Sequence, residues 1–156
     1  MLLVDDEPAV RRAVARVLSR AGFTVLEAAD GIDAVELFRA HQSDVSCVVC
    51  DVTMPRLDGW QTLTELRRLA PGFPVILASG YGEAQVMDGE HPDFPTAFLS
   101  KPYQADVLAH TLDRVISERE QRRSAGGARM TRIAPSARHS GAHRVACLAS
   151  GASTVR

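Results

Sequence analysis

Val48-Val49-Cys50-Asp51 is a run of three apolar residues closed by a carboxylate. The pattern recurs. Leu2-Leu3-Val4 leads into Asp5-Asp6, Val75-Ile76-Leu77-Ala78 into Ser79, and Ala97-Phe98-Leu99-Ser100 into Lys101-Pro102. Continuous apolar runs bounded by turn signals read as strands buried on both faces, as in a parallel sheet. In open α/β sheets the ligand site lies beyond the carboxyl ends of the strands. Three carboxylates, a hydroxyl and an ammonium are therefore expected at one edge of the sheet. That set suits a divalent cation and a phosphoryl group.

Working outward, amphipathic segments alternate with these runs. The chain reads as strand 2–4, helix 8–21, strand 23–28, helix from 30 or 31 to 41, and strand 45–50. Then come a loop 51–59 stiffened by Pro55, helix 60–69, strand 75–78, a weak helix 82–90, strand 96–99 and helix 104–119. Pro8 suits a first helical turn and Gly22 a helix end. Val10, Val14, Val17 and Leu18 form one apolar stripe, and Val107, Leu108, Leu112, Val115 and Ile116 another. Alternating βα units with short connections predict an α/β fold, a doubly wound five-stranded parallel sheet with helices on both faces.

The chain has 156 residues, 46% hydrophobic, enough for one domain with a real core. Its charge is unevenly spread. Residues 1–118 hold ten basic and eighteen acidic residues; residues 119–156 hold eight arginines and one glutamate. From 122 onward Ala, Gly, Ser and Arg dominate without an apolar period, so 1–119 reads as the domain and 120–156 as a basic, disordered tail. No stretch approaches the roughly 20 apolar residues that span a bilayer. The first residues lack the basic flank of a signal peptide, so a cytoplasmic protein is expected.

Cys47 and Cys50 make a C-x-x-C string, a spacing used in redox and zinc sites. On a strand, three positions apart, they point to opposite faces, with Cα atoms about 10 Å apart, beyond disulfide reach. They read as small buried hydrophobes. Cys147 has no evident partner, the helical spacing of His139 and His143 in the tail carries no site, and Trp60 reads as a packing residue.

Crowded acids raise one another's pKa, and a hard divalent cation relieves the repulsion. Oxygen donors without a histidine or cysteine cluster favour Mg²⁺ over zinc. Asp5-Asp6 also has a plainer reading, as a cap for the helix begun by Pro8; Asp51 at the end of a second strand weighs against it. Asp51 is the candidate nucleophile, since a carboxylate can attack phosphorus when the phosphate charge is neutralised. Lys101, the single lysine among eighteen basic residues, supplies a compact positive charge. The Ser79 hydroxyl can donate to a phosphoryl oxygen.

The run Asp51-Val52-Thr53-Met54-Pro55-Arg56-Leu57-Asp58-Gly59 resembles the D-x-x-M-P-x-x-D-G signature of response-regulator receiver domains. Val4-Asp5-Asp6-Glu7-Pro8 resembles that family's acidic pair, and Ser100-Lys101-Pro102-Tyr103 its lysine-proline-aromatic turn; the resemblance covers roughly residues 1–118. It implies the flavodoxin-like strand order 2-1-3-4-5. It implies that Asp51 accepts a phosphoryl group from a phosphohistidine on a histidine kinase or phosphotransfer protein. Asp6, Asp51 and the Thr53 backbone carbonyl would bind Mg²⁺ directly, with Asp5 acting through water. Lys101 would contact the phosphoryl group, Ser79 and Phe98 would switch, and the Lys101–Pro102 bond would be cis. Ser79 stands where the family more often has Thr. Tyr81, bulky for its position, is expected to shield the acyl phosphate from water.

These features imply a bacterial two-component signalling module rather than an enzyme. It would be either a single-domain regulator or the receiver end of a hybrid sensor kinase. Its output surface, open to dimerisation, would be formed by 82–90, 96–99 and 104–119, with an unknown output partner. No helix-turn-helix or zinc finger is evident, so sequence-specific DNA binding is not expected. Two alternatives remain. One is a Mg²⁺-dependent phosphohydrolase with an aspartyl-phosphate intermediate; resemblance to the haloacid dehalogenase superfamily would require an acid where Thr53 stands. The other is a receiver-like interaction module that is never phosphorylated.

Overall fold

A computed structural model describes residues 1–83 and 91–129, with side chains to residue 125. Five strands, β1 (Leu2–Val4), β2 (Leu26–Ala28), β3 (Val48–Asp51), β4 (Val75–Ser79) and β5 (Ala97–Ser100), alternate with helices α1 (Pro8–Arg20), α2 (Gly31–His41), α3 (Gly59–Leu69) and α4 (Ala105–Arg129). All strand pairs are parallel, in the order β2-β1-β3-β4-β5. Registers such as Leu2↔Val48, Val48↔Val75 and Ile76↔Ala97 bring the polar strand ends to one edge.

Strand alternation sorts the core into two layers. Leu2, Val4, Val48, Cys50, Val75 and Leu77 pack with Phe38 of α2 and Leu63 and Leu66 of α3. Leu3, Cys47, Val49, Ile76 and Ala78 pack with Leu18 of α1 and Leu108, Leu112 and Val115 of α4. Cys47 and Cys50 thus lie on opposite faces as free, buried thiols. Burial pushes Cys47 up to about 12 and raises Cys50 as well, which keeps both protonated and inert.

Helix starts follow local chemistry. Asp30 caps α2, its side chain accepting from the Ile32 and Asp33 N–H groups. Asp58 caps α3 in a reciprocal box with Gln61. α1 begins at Pro8 with no side-chain cap, so the capping role considered for Asp5 and Asp6 is not taken up. Past Ala21 the chain turns at Gly22, φ +92°.

Several boundaries differ from those read in the sequence. β2 begins at Leu26, not 23, because β1 offers only three residues to pair with. β3 begins at Val48, not 45; the Val45 N–H instead donates to the His41 carbonyl. α3 begins one residue early, at Gly59. Val107, placed inward by periodicity, is 47% exposed, and Leu108, Leu112 and Val115 carry that face. The last helix does not end at Arg119 but runs to Arg129, so 120–129 is helical rather than disordered. Glu118 faces Arg114 and Arg122 one turn either side at 3.5 and 3.6 Å, and such pairs support the helix as it continues past its core residues Leu108, Leu112 and Val115. Segment 82–90 beyond Glu83, and the tail from 130 with His139, His143 and Cys147, lie outside the described residues. No helix of the described residues is long and apolar enough to cross a membrane.

Candidate functional site

The site forms where β1, β3, β4 and β5 end. Asp5 follows β1 and is 4% exposed. Its Oδ1 accepts the Glu7 N–H at 2.9 Å, and its carbonyl accepts Arg11 Nη1 at 2.6 Å. Both of its side-chain oxygens are thereby engaged, because Oδ2 accepts Lys101 Nζ at 2.7 Å. Asp6, next in the chain, is exposed. Asp51 closes β3 and is 9% exposed, with Oδ1 2.9 Å from the same Lys101 ammonium. Lys101 therefore bridges two carboxylates brought from sequence positions far apart, a contact the sequence reading did not foresee.

Carboxylate oxygens of Asp5, Asp6 and Asp51 lie within 4.8 Å of one another. Every donor is a hard oxygen, and one ammonium against three carboxylates leaves the cluster negative. That donor set and charge fit a hard divalent cation. Titration reflects the same crowding. Burial, then the charges of Asp5 and Asp6, raise the Asp51 pKa despite the opposing pull of Lys101. Burial disfavours the Lys101 ammonium, but its bonds to Asp5 and Asp51 outweigh this and its pKa is raised.

Ser79 ends β4, fully buried; its Oγ accepts the Tyr81 N–H at 3.0 Å and its carbonyl accepts the Lys101 N–H at 2.7 Å. The Lys101–Pro102 peptide is cis. Phe98, half-buried on β5, packs against the α2–α3 layer, the face to which alternation along β4 assigns Ser79. Thr53 sits exposed in the loop after Asp51. The Tyr81 side chain is 64% exposed.

Two supports of the site were not foreseen. Gly59 starts α3 against the back of the site: a Cβ there would lie 2.5 Å from the Asp51 carbonyl oxygen and 2.7 Å from Val52 Cα. The terminal Gly of the signature is thus required by a close approach to the very residue that opens it. Arg56, at φ +67°, pairs with buried Asp30 and ties the signature loop to the start of α2. The adjacent Asp30-Gly31 was legible as a helix start, but nothing local links it to Arg56. Trp60 stacks on His91 with ring centroids 3.6 Å apart, in keeping with a packing role.

A family model described as the response regulator receiver domain matches residues 1–113. The chain is 38% identical over 120 residues to the sensor kinase CckA of Brucella abortus (strain 2308), covering 77% of this chain but only 13% of that kinase. It is 30% identical over 118 residues to the chemotaxis protein CheY of Bacillus subtilis (strain 168), covering 75% of this chain and 97% of that protein. Among solved structures, the receiver domain of the sensor histidine kinase PA1611 from Pseudomonas aeruginosa PAO1, with a magnesium ion coordinated in its active-site cleft, aligns with a TM-score of 0.63. The two are 29% identical, over 74% of this chain and 95% of that one.

Proposed function

The chain belongs to the response regulator receiver domain family of two-component signalling, and we propose that Asp51 is its phosphoacceptor. The donor is a phosphohistidine on a histidine kinase or phosphotransfer protein. The observation that carries this reading is the Lys101 ammonium, 2.7 Å from Asp5 and 2.9 Å from Asp51, above a cluster of three carboxylates.

An Asp51 carboxylate oxygen attacks phosphorus in line, the new O–P bond forms as the N–P bond breaks, and the departing imidazole takes its proton from solvent. Lys101 is held beside the acceptor and can turn from carboxylate to phosphoryl oxygen as charge builds there. Asp6, Asp51 and the Thr53 backbone carbonyl are the groups that would hold Mg²⁺, with Asp5 acting through water. When bound, the ion supplies charge neutralisation for the phosphoryl oxygens.

The readout begins at Ser79. Its Oγ accepts the Tyr81 N–H and keeps its own proton to give; donating that proton to a phosphoryl oxygen draws it toward Asp51, and Phe98 moves into the space released. The surface affected is that of β5 and α4, which makes it the candidate contact for the output partner or a second copy. Such a device suits either a single-domain regulator or the receiver end of a larger kinase.

Intact mass after incubation with a small phosphodonor and Mg²⁺ tests the reading. One stable phosphoryl adduct per chain is expected, absent in Asp51→Asn. Adduct formation that persists in Asp51→Asn, or no adduct at any Mg²⁺ concentration, overturns it.

A further inference from the structure

A cavity of about 430 Å³ opens at the edge of the sheet opposite Asp51, between the end of α3, the turn before β4 and the outer half of α4. Four arginines line it: Arg67 from α3 and Arg119, Arg122 and Arg123 from α4. Ala70 and Pro71 add apolar wall, with Pro74 and Val115 buried behind them. Glu118 is the one carboxylate in the lining among the described residues.

The arginines are not fully satisfied from within. Arg119 is committed, donating to the Val45 and Ser46 carbonyls at 2.9 and 2.6 Å and lying 4.2 Å over the Phe73 ring. Arg122 shares Glu118 with Arg114. Arg67 Nη2 donates to the Phe94 carbonyl and to Thr96 Oγ1 at 3.2 and 3.4 Å. Its Nε is buried without a hydrogen-bond partner among the described residues. Arg123 forms no ion pair among them. The charges also crowd one another. Burial and then Arg122 lower the Arg67 pKa, against Asp93, and burial and then Arg123 lower that of Arg119.

A planar guanidinium fork matches phosphate oxygens two at a time. The volume is that of a small-molecule site, with apolar wall beside a charged rim. We propose that this cavity binds a small phosphorylated ligand of mononucleotide size, its phosphate held by Arg67, Arg122 and Arg123 and its apolar body against Ala70 and Pro71. The site stands apart from Asp51 and does not depend on phosphotransfer.

Calorimetric titration of the full chain with adenosine monophosphate tests it, in EDTA and at matched ionic strength so that the acidic edge recruits no phosphate. Saturable one-to-one binding is expected, unchanged in Asp51→Asn. It should weaken about tenfold in Arg123→Gln, whose side chain is exposed and whose loss leaves the fold intact, and about tenfold in Arg67→Gln. Inorganic phosphate should compete, and adenosine should bind far more weakly. No saturable heat, equal binding of adenosine, or unchanged affinity in both arginine variants overturns the proposal.

Discussion

The two edges of this sheet carry opposite chemistry. At the carboxyl edge three carboxylates surround one ammonium; at the amino edge four guanidiniums surround one carboxylate. Chain direction accounts for the sorting. Parallel strands release their last polar residues at a common edge, so Asp5, Asp51, Ser79 and Lys101 converge there although 96 positions separate Asp5 from Lys101. The connecting helices run back, and their last turns arrive at the other edge. There the negative end of the helix dipole favours basic residues, as with Arg20 in α1, Arg39 and His41 in α2, and Arg67 and Arg68 in α3. The continuation of α4 to Arg129 carries Arg122 and Arg123 past the sheet and completes the basic cluster.

The largest effect that separates the edges should come from Lys101→Met. Loss of the ammonium between Asp5 and Asp51 should slow phosphorylation by a small donor about 100-fold, while nucleotide titration at the far edge is untouched. A variant that phosphorylates at the original rate would break the assignment of Lys101. Gly59→Ala comes next. The added Cβ meets backbone atoms of Asp51 and Val52, which cannot rotate away, so the urea midpoint should fall by the equivalent of about 1–3 kcal/mol. An unchanged midpoint would mean that α3 does not press on the site.

Stability against pH sharpens the contrast further. Asp51 has a raised folded pKa, so the folded metal-free protein holds this proton more tightly than the unfolded chain. Its contribution to stability is therefore best at low pH and falls as pH rises from the ordinary carboxylate value of 3.8 through the raised folded value. Lys101, also raised, contributes below the ordinary lysine value of 10.5 and loses that contribution as pH rises through its folded value. At neutral pH in EDTA, Asp51→Asn should melt about 2–4 °C higher than the parent chain, and Mg²⁺ should raise the melting temperature of the parent but not of the variant. Equal melting of both proteins in EDTA would contradict the crowding at the acidic edge. The smallest effect is expected from Tyr81→Ala. With its ring 64% exposed, the side chain has limited scope to exclude water from the acyl phosphate, and the adduct half-life should shorten by about twofold at most. A tenfold loss would show that the ring folds over the site after phosphorylation.

Legibility followed the range of the interactions involved. Strand and helix order, the two-faced burial of β1, β3 and β4, and the residues at the carboxyl edge were readable, because each is written in a few consecutive positions: an apolar run, a polar stop, a cap or a turn. The separation of Cys47 from Cys50 was readable for the same reason. Strand β2 was read too long because its length depends on the three residues of β1 beside it. Val107 was placed inward because helical period alone does not say how wide a stripe the sheet covers. The last helix was cut short because no apolar period marks it beyond Ile116, where the Glu118–Arg122 pair and the bonds of Arg119 to the Val45 and Ser46 carbonyls carry it on.

The sequence by itself determined that this chain is an alternating α/β domain with its acids, its serine and its single lysine at strand ends, since local periodicity and strand polarity suffice for that. Tertiary structure alone decided that Lys101 bridges Asp5 and Asp51, that Gly59 must lack a side chain, that Arg56 reaches Asp30, and that four arginines from two helices close around one cavity. Each of these depends on distances between elements remote in sequence, and those distances are set by how the helices pack on the sheet.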